Sequence, residues 1–311
     1  MNIIVWLGSS MHRGQIAAIA ALLSLGQVTV TGAAESRLSG DSPSGIKGID
    51  NRVVANSAIA PWNAIGRIST STGSYCTGVL IAPDRVATAA HCLWREKTLR
   101  WLPVHEISFL AGYRNGKYQE RAAIASYFLP NGIVDRQKRR LRKTGDWAVL
   151  KLRNPMNTKI KPIPLADFTQ AYWKKTRRKG MSLIQAGYSY DQSEFLTQHD
   201  GCSITLFYRD DALMHHNCDA TRGDSGSPIM IKRHGKYRLV GLHVATRRFG
   251  ETVTSGIAVT GHGLIKSLMS MARRGIEDRV IAEDSSRYQP VKPAHRSLEE
   301  PLESVPQLVG R

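Results

Sequence analysis

Between positions 53 and 260 the chain is a succession of short, apolar, β-prone runs cut by turn residues. They fall at 64–68, 78–82, 85–89, 107–111, 147–152, 182–186, 204–208, 228–231, 239–244 and 256–260. Many short runs at close spacing argue against alternating strands and helices and predict an all-β sandwich or a pair of barrels. The period changes after Gly263, where Leu264, Ile265, Leu268 and Met271 fall on one helical face. Arg273 and Arg274 follow at the end where cations favour the helix dipole. A C-terminal α-helix packed on the β body is therefore expected.

The flanks read differently. Arg13, the apolar stretch 16–25 and the small residues Gly32, Ala33 and Ala34 have the order of a signal peptide, placed at 1–34. That stretch is far short of the ~20 apolar residues a membrane span needs, and no later stretch is long and apolar enough to cross a bilayer. The mature protein is expected to be exported to a periplasm or the medium and to be soluble, with an uncleaved anchor as the rival reading of the N-terminal segment. Residues 35–52, rich in Ser, Gly and charge, read as a short propeptide or linker, and 53–275 as the folded domain. Residues 276–311, with four prolines, many charges and little periodicity, read as a disordered tail.

The charge is unusual: 43 Lys and Arg against 25 Asp and Glu give +18. The tail itself is slightly acidic, so the basic character belongs to the body. Basic runs lie at 136–143, at 174–179 and at Arg247-Arg248. Such runs are commonly solvated faces, and their functional alternative is an anionic lipid, polysaccharide or nucleic-acid surface. Nucleic acid is disfavoured, because aromatic residues hardly interleave with the cations and no nucleic-acid motif is present. Four cysteines in an exported chain imply two disulfides, with three connectivities open. Zinc on His215, His216, Cys218 and Cys202 fits no common spacing, and oxidation competes for the thiols, so no metal or other cofactor is expected.

Three motifs carry chemistry. Gly223-Asp224-Ser225-Gly226-Ser227-Pro228 precedes an apolar strand, and its glycines allow a tight turn that aims N–H groups at one point. A serine hydroxyl there needs a base to take its proton, and the N–H groups of Gly223 and Ser225 would form an oxyanion hole. Thr88-Ala89-Ala90-His91-Cys92 offers that base, since an unperturbed imidazole titrates near neutral pH. Gly145-Asp146-Trp147-Ala148 places a carboxylate at the mouth of an apolar strand, where it would orient the imidazole and stabilise imidazolium. The chain order His, Asp, Ser is that of the chymotrypsin group, and α/β-hydrolases and subtilisins run in other orders. Position 227 is serine, so the Gly-x-Ser-x-Gly elbow of α/β-hydrolases is absent.

On these motifs the sequence resembles trypsin-like serine proteases over about residues 50–272. It looks closest to their bacterial branch containing glutamyl endopeptidases, through Asp50-Asn51-Arg52, Asn217-Cys218-Asp219 and Val240-Gly241-Leu242-His243. The resemblance implies an all-β fold of two six-stranded antiparallel β-barrels with a C-terminal α-helix, the catalytic groups lying between the barrels. It implies a serine endopeptidase acting on protein or peptide substrates, commonly as a monomer. It also implies a Cys76–Cys92 disulfide bracketing His91 and a Cys202–Cys218 disulfide near the nucleophile loop.

Substrate preference stays open at this level. In the glutamyl-specific branch a histidine matching His243 and a threonine matching Ala220 contact the acidic side chain, and here the threonine is missing. In trypsins an acid matching Asp219 sits at the pocket bottom and pairs with Lys or Arg. A trypsin-like enzyme would tend to cut itself in the basic run before Asp146 if that loop were exposed. Acidic, basic and small or apolar preferences all remain. Activation has two readings as well. Arg52-Val53-Val54-Ala55 resembles a trypsinogen junction, whose cleavage would free an amino group to pair with Asp224; alternatively, Arg52 stays in the mature chain. A different class of function is a catalytically silent protease-fold protein binding acidic surfaces through its basic patches.

Overall fold

Six short strands close into an antiparallel barrel in this computed structural model, which describes residues 44–130, 133–135, 140–250 and 252–273. Around the ring run Ala148–Leu152, Arg85–Thr88, Tyr75–Ala82, Ile65–Thr70, Ile107–Ala111 and Glu120–Phe128, and the last pairs back with the first. Ile65 lies opposite Val79, Ala148 opposite Thr88 and Leu150 opposite Tyr127. Apolar positions point inward, so Ile65, Ile68, Leu80, Val86, Phe109, Ile124 and Leu150 are almost fully buried and fill the interior.

The second half is one eight-stranded antiparallel sheet. Its order is Val53–Val54, Thr197–Cys202, Leu183–Gly187, Pro228–Arg233, Lys236–Phe249, Thr252–Thr260, Leu213–His216 and Ile204–Tyr208. The resemblance implied a second six-stranded barrel at this place. The two-residue strand Val53–Val54 extends one edge of the sheet by pairing with Gln198 and Thr197, and the hairpin Ile204–Tyr208 with Leu213–His216 forms the other. Val240, Leu242, Ile229 and Ala258 sit in its interior.

The C-terminal helix runs Gly261–Arg273, beginning two residues before the expected Gly263. Thr260 starts it, its hydroxyl accepting the Gly263 N–H at 2.9 Å. Leu264 is buried and Leu268 packs on the core, as the periodicity requires. A second helix, Gln170–Arg177, was not expected. Thr169 caps it through the Tyr172 N–H, Trp173 anchors it, and Lys174, Lys175, Arg177, Arg178 and Lys179 are exposed. No helix among the described residues is long and apolar enough to cross a membrane. The expected signal peptide at 1–34, the tail at 276–311 and positions 136–139 of the first basic run lie outside the described residues.

Residues 44–52, placed in the expected propeptide or linker, pack on the body. Ile46 and Arg52 are buried, the Ala220 N–H donates to the Gly45 carbonyl, and Asp219 accepts from the N–H groups of Lys47 and Asn51.

Candidate active site

His91 sits in a one-turn 3-10 helix, Ala90–Leu93, directly after the barrel strand Arg85–Thr88. Asp146 precedes the neighbouring strand Ala148–Leu152, and the pairing of Ala148 with Thr88 brings the two residues together. One carboxylate oxygen of Asp146 lies 2.9 Å from His91 Nδ1, and the other accepts the His91 main-chain N–H at 2.9 Å. Ring and backbone of the histidine are thus held by one buried side chain. An anionic carboxylate accepts, so Nδ1 carries the proton and Nε2 is left as the basic nitrogen.

Ser225 lies in the loop before the strand Pro228–Arg233 and is buried. Its carbonyl accepts the Thr77 N–H at 2.9 Å and lies 3.8 Å from the sulfur of Cys92, the neighbour of His91. Gly226, in the left-handed region at φ +80°, passes so close to the histidine segment that a Cβ would stand 2.3 Å from Thr88 Oγ1 and 2.8 Å from the Ala89 nitrogen. Only glycine fits there. The structure therefore brings the Ser225 loop against the segment carrying His91, and joins His91 to Asp146.

The main chain around Gly223, an expected oxyanion donor, is set by neighbouring contacts. The Arg222 carbonyl accepts the Tyr190 N–H at 2.6 Å. In a trans peptide the C=O and N–H point to opposite sides, so the Gly223 N–H is turned away from Tyr190. The Gly223 carbonyl is taken by the Thr77 hydroxyl at 2.9 Å. Gly223 has φ +88°, and a Cβ would stand 2.3 Å from the Tyr188 carbonyl. Thr77 was not singled out from sequence. It grips the loop at both Gly223 and Ser225 while its hydroxyl also accepts the Tyr188 N–H at 2.9 Å.

Asp224 is buried and accepts from the Ser189 hydroxyl at 2.7 Å and the Thr221 N–H at 2.8 Å. Burial pushes its carboxyl up to about 6 against those donors and the Arg52 charge. Arg52 itself grips Asp50 and Asp191, each through two hydrogen bonds of 2.6–3.1 Å. Its side chain is 2% exposed. Asp191 also accepts the Thr221 hydroxyl at 2.7 Å. Val53 lies in the exposed edge strand.

Of the residues expected to govern substrate preference, Asp219 and Ala220 directly follow the disulfide cysteine Cys218, and His243 lies in the strand Lys236–Phe249. Asp219 accepts from Lys47 N–H at 2.8 Å, Asn51 N–H at 3.0 Å and Asn51 Nδ2 at 3.2 Å, with His199 Nδ1 at 3.3 Å. Burial alone would raise its pKa, but these partners hold it down to about 2. Ala220 is fully buried. The main chain of His243 brackets the nucleophile loop: its carbonyl accepts Gly226 N–H at 2.7 Å and its N–H donates to the Ser227 carbonyl at 2.9 Å. Its Nδ1 lies 3.0 Å from Nε2 of His216, a residue considered from sequence only as a metal ligand. That pairing needs Gly256 between the two strands, because a Cβ there would stand 2.2 Å from the His216 ring. Burial, with the charges of Lys47 and His91, lowers His243 to about 3, and burial likewise drives His216 well down. Both rings are neutral at neutral pH.

Two disulfides are formed, Cys76–Cys92 beside His91 and Cys202–Cys218 beside Asp219. The two cysteines weighed as zinc ligands are therefore bonded to each other, and His215 bonds the Ser255 hydroxyl at 2.6 Å.

Comparison with known proteins adds three likenesses. The trypsin family model matches residues 49–260. A glutamyl endopeptidase of Bacillus licheniformis is 29% identical over 204 residues, covering 63% of this chain and 58% of that protein. The match thus spans less than two thirds of that relative's own length. A solved structure described as "Structure of Glu endopeptidase in complex with MPD" superposes with TM-score 0.58 and 21% identity, covering 74% of this chain and 99% of that one. This last likeness concerns the fold.

Proposed function

We propose, because this chain belongs to the trypsin family, that it is an exported serine endopeptidase using His91, Asp146 and Ser225. In that family's terms the eight-stranded sheet takes the place of the second barrel. The observation that carries the reading is the two-point hold of Asp146 on His91, beside a loop whose Ser225 carbonyl touches Cys92.

The chemistry follows from the arrangement. Ser225 Oγ attacks the scissile carbonyl carbon as its proton passes to His91 Nε2, and Asp146 stabilises the imidazolium. The negative oxygen of the tetrahedral intermediate is received by the N–H groups of Gly223 and Ser225, donors typically worth about 3–4 kcal/mol each. Collapse breaks the C–N bond, and the leaving amine takes the proton from His91. Water then attacks the acyl-enzyme, its proton passing through His91 back to Ser225.

We read the substrate preference as acidic. Asp219 already accepts from three N–H donors, and its own N–H donates to His199 Nδ1, so it supports the N-terminal segment rather than a substrate Lys or Arg. The glutamyl endopeptidase likeness points the same way. Arg52 is retained in the mature chain, since cleavage after it would detach the guanidinium that ties Asp50 to Asp191. Asp224 is then held by Ser189 and Thr221 and needs no new amino terminus. The enzyme acts as a monomer, and the exposed cations of the helix Gln170–Arg177 and of Arg247 give it attraction for anionic lipid or polysaccharide.

Digestion of a peptide library by the mature protein tests the reading. Cleavage after Glu or Asp is expected, and Ser225→Ala should abolish it. A mature protein that cleaves nothing would return the chain to the silent, surface-binding class, and a variant that cleaves as well as the parent would overturn the role of Ser225.

A further inference from the structure

We infer that Lys47 supplies the positive charge of the primary substrate pocket, so that a segment upstream of the matched family region selects an acidic substrate side chain. This rests on the acidic preference read above and assigns the residue that would produce it.

A pocket that selects a carboxylate in a buried site must offer it a cation or several donors, because an unpaired buried charge is strongly disfavoured. His243 is the obvious candidate by position, one strand from the nucleophile loop. It cannot provide the charge. It is buried, its Nδ1 is engaged with the His216 ring, and burial together with nearby cations keeps it neutral. His243 can act as a neutral donor whose tautomer His216 fixes, but the cation must come from elsewhere.

Lys47 is in place to provide it. The segment 44–51 lies across residues 218–220: the Gly45 carbonyl meets Ala220 N–H, and Lys47 N–H and Asn51 N–H both bond Asp219. Gly45, at φ +118°, passes so close that a Cβ would collide with the Ala220 carbonyl at 1.8 Å. Held there, Lys47 folds its side chain back onto the wall. Its Nζ donates to the Cys218 carbonyl at 2.5 Å and the Gly45 carbonyl at 3.1 Å. Both acceptors are neutral, and an ammonium has three N–H donors, so the third is the one a substrate carboxylate would take. Lys47 and His91 both act electrostatically on His243, so the three groups share one neighbourhood. A glutamate side chain entering beside Ser225 and passing His243 would reach Lys47.

The setting also makes this charge titratable at mild pH. Burial lowers Lys47 to about 8, opposed by Asp219 and Asp224 on the nucleophile side and assisted by Arg52 on its own segment. The groups facing it from the sheet, His216 and His243, are neutral over this range.

The test compares kcat/KM for two peptides that differ only in Glu or Gln before the scissile bond. Wild type should prefer Glu. Lys47→Met should cut the Glu-over-Gln ratio by about tenfold or more, the scale of a hydrogen bond between charged groups. Lys47→Arg should retain most of the ratio. In wild type alone the ratio should fall as pH rises through about 8, a readout that needs no folded variant. A ratio unchanged in Lys47→Met, equal losses on both peptides, or a ratio flat from pH 7 to well above 8 overturns the role of Lys47 while the preference itself stands. A wild type indifferent to Glu and Gln overturns the acidic preference and the role of Lys47 with it.

Discussion

Asp146 illustrates how much one side chain settles here. Its two oxygens fix the His91 ring and the His91 main chain at 2.9 Å each, so the imidazole has neither the wrong tautomer nor a freely moving backbone. Asp146→Asn keeps the shape but can present an NH2 to Nδ1, which favours the proton on Nε2 and removes the base. A fall in kcat of about 10⁴ is expected, the size seen for the same change in trypsin, with KM nearly unchanged. A loss of less than tenfold in steady-state turnover would contradict the assigned role. Residues of this kind were legible in the sequence because each carried a local signature. The glycines around Ser225 announce a tight turn, and the φ values at Gly223 and Gly226 bear that reading out. Thr77, His216 and Lys47 had no such signature. Thr77 is an ordinary strand threonine until the nucleophile loop arrives beside it, and His216 meets His243 only across Gly256.

Strands with a strong apolar run were read nearly to their ends: 107–111 and 204–208 coincide with Ile107–Ala111 and Ile204–Tyr208. Weakly patterned ones were missed. Thr197–Cys202 carries Gln198, His199 and Asp200 because it lies between the short edge strand Val53–Val54 and Leu183–Gly187, and its identity comes from pairing rather than composition. The helix Gln170–Arg177 was hidden because it buries little beyond Trp173 and shows its cations to solvent. The segment 44–52 reads as propeptide or linker for the same reason: its polar residues are satisfied by distant partners that the sequence does not display. Arg52 tests this element. It joins Asp50 to Asp191, and the Asp191 turn carries the Tyr190 N–H that orients the Arg222 peptide. Breaking a buried pair costs about 3–5 kcal/mol, less where the carboxylates keep some solvent as here. Arg52→Met should therefore lower stability in urea unfolding by about 2–3 kcal/mol and reduce kcat more than it raises KM. Unchanged stability and turnover would show the segment to be dispensable.

At the scale of the molecule, the proposed site draws on both a closed barrel and an eight-stranded sheet. In the proposed site the barrel side would bring His91, Asp146 and Thr77, and the sheet side the Ser225 loop, His243 and Asp219. The all-β class and the C-terminal helix could be read from periodicity, whereas the count of strands in the second half could not, since edge strands are added by pairing that leaves little trace in composition. The net charge of +18 likewise speaks of surfaces and encounter rather than of fold. The central claim is that Ser225 is activated by His91. Treating the mature protein with a fluorophosphonate and mapping the adduct by peptide mass spectrometry tests this most directly. The account predicts one modified residue, Ser225, with the reaction slowed by orders of magnitude in His91→Ala. A folded protein that takes up no label, or takes it up elsewhere, would contradict it.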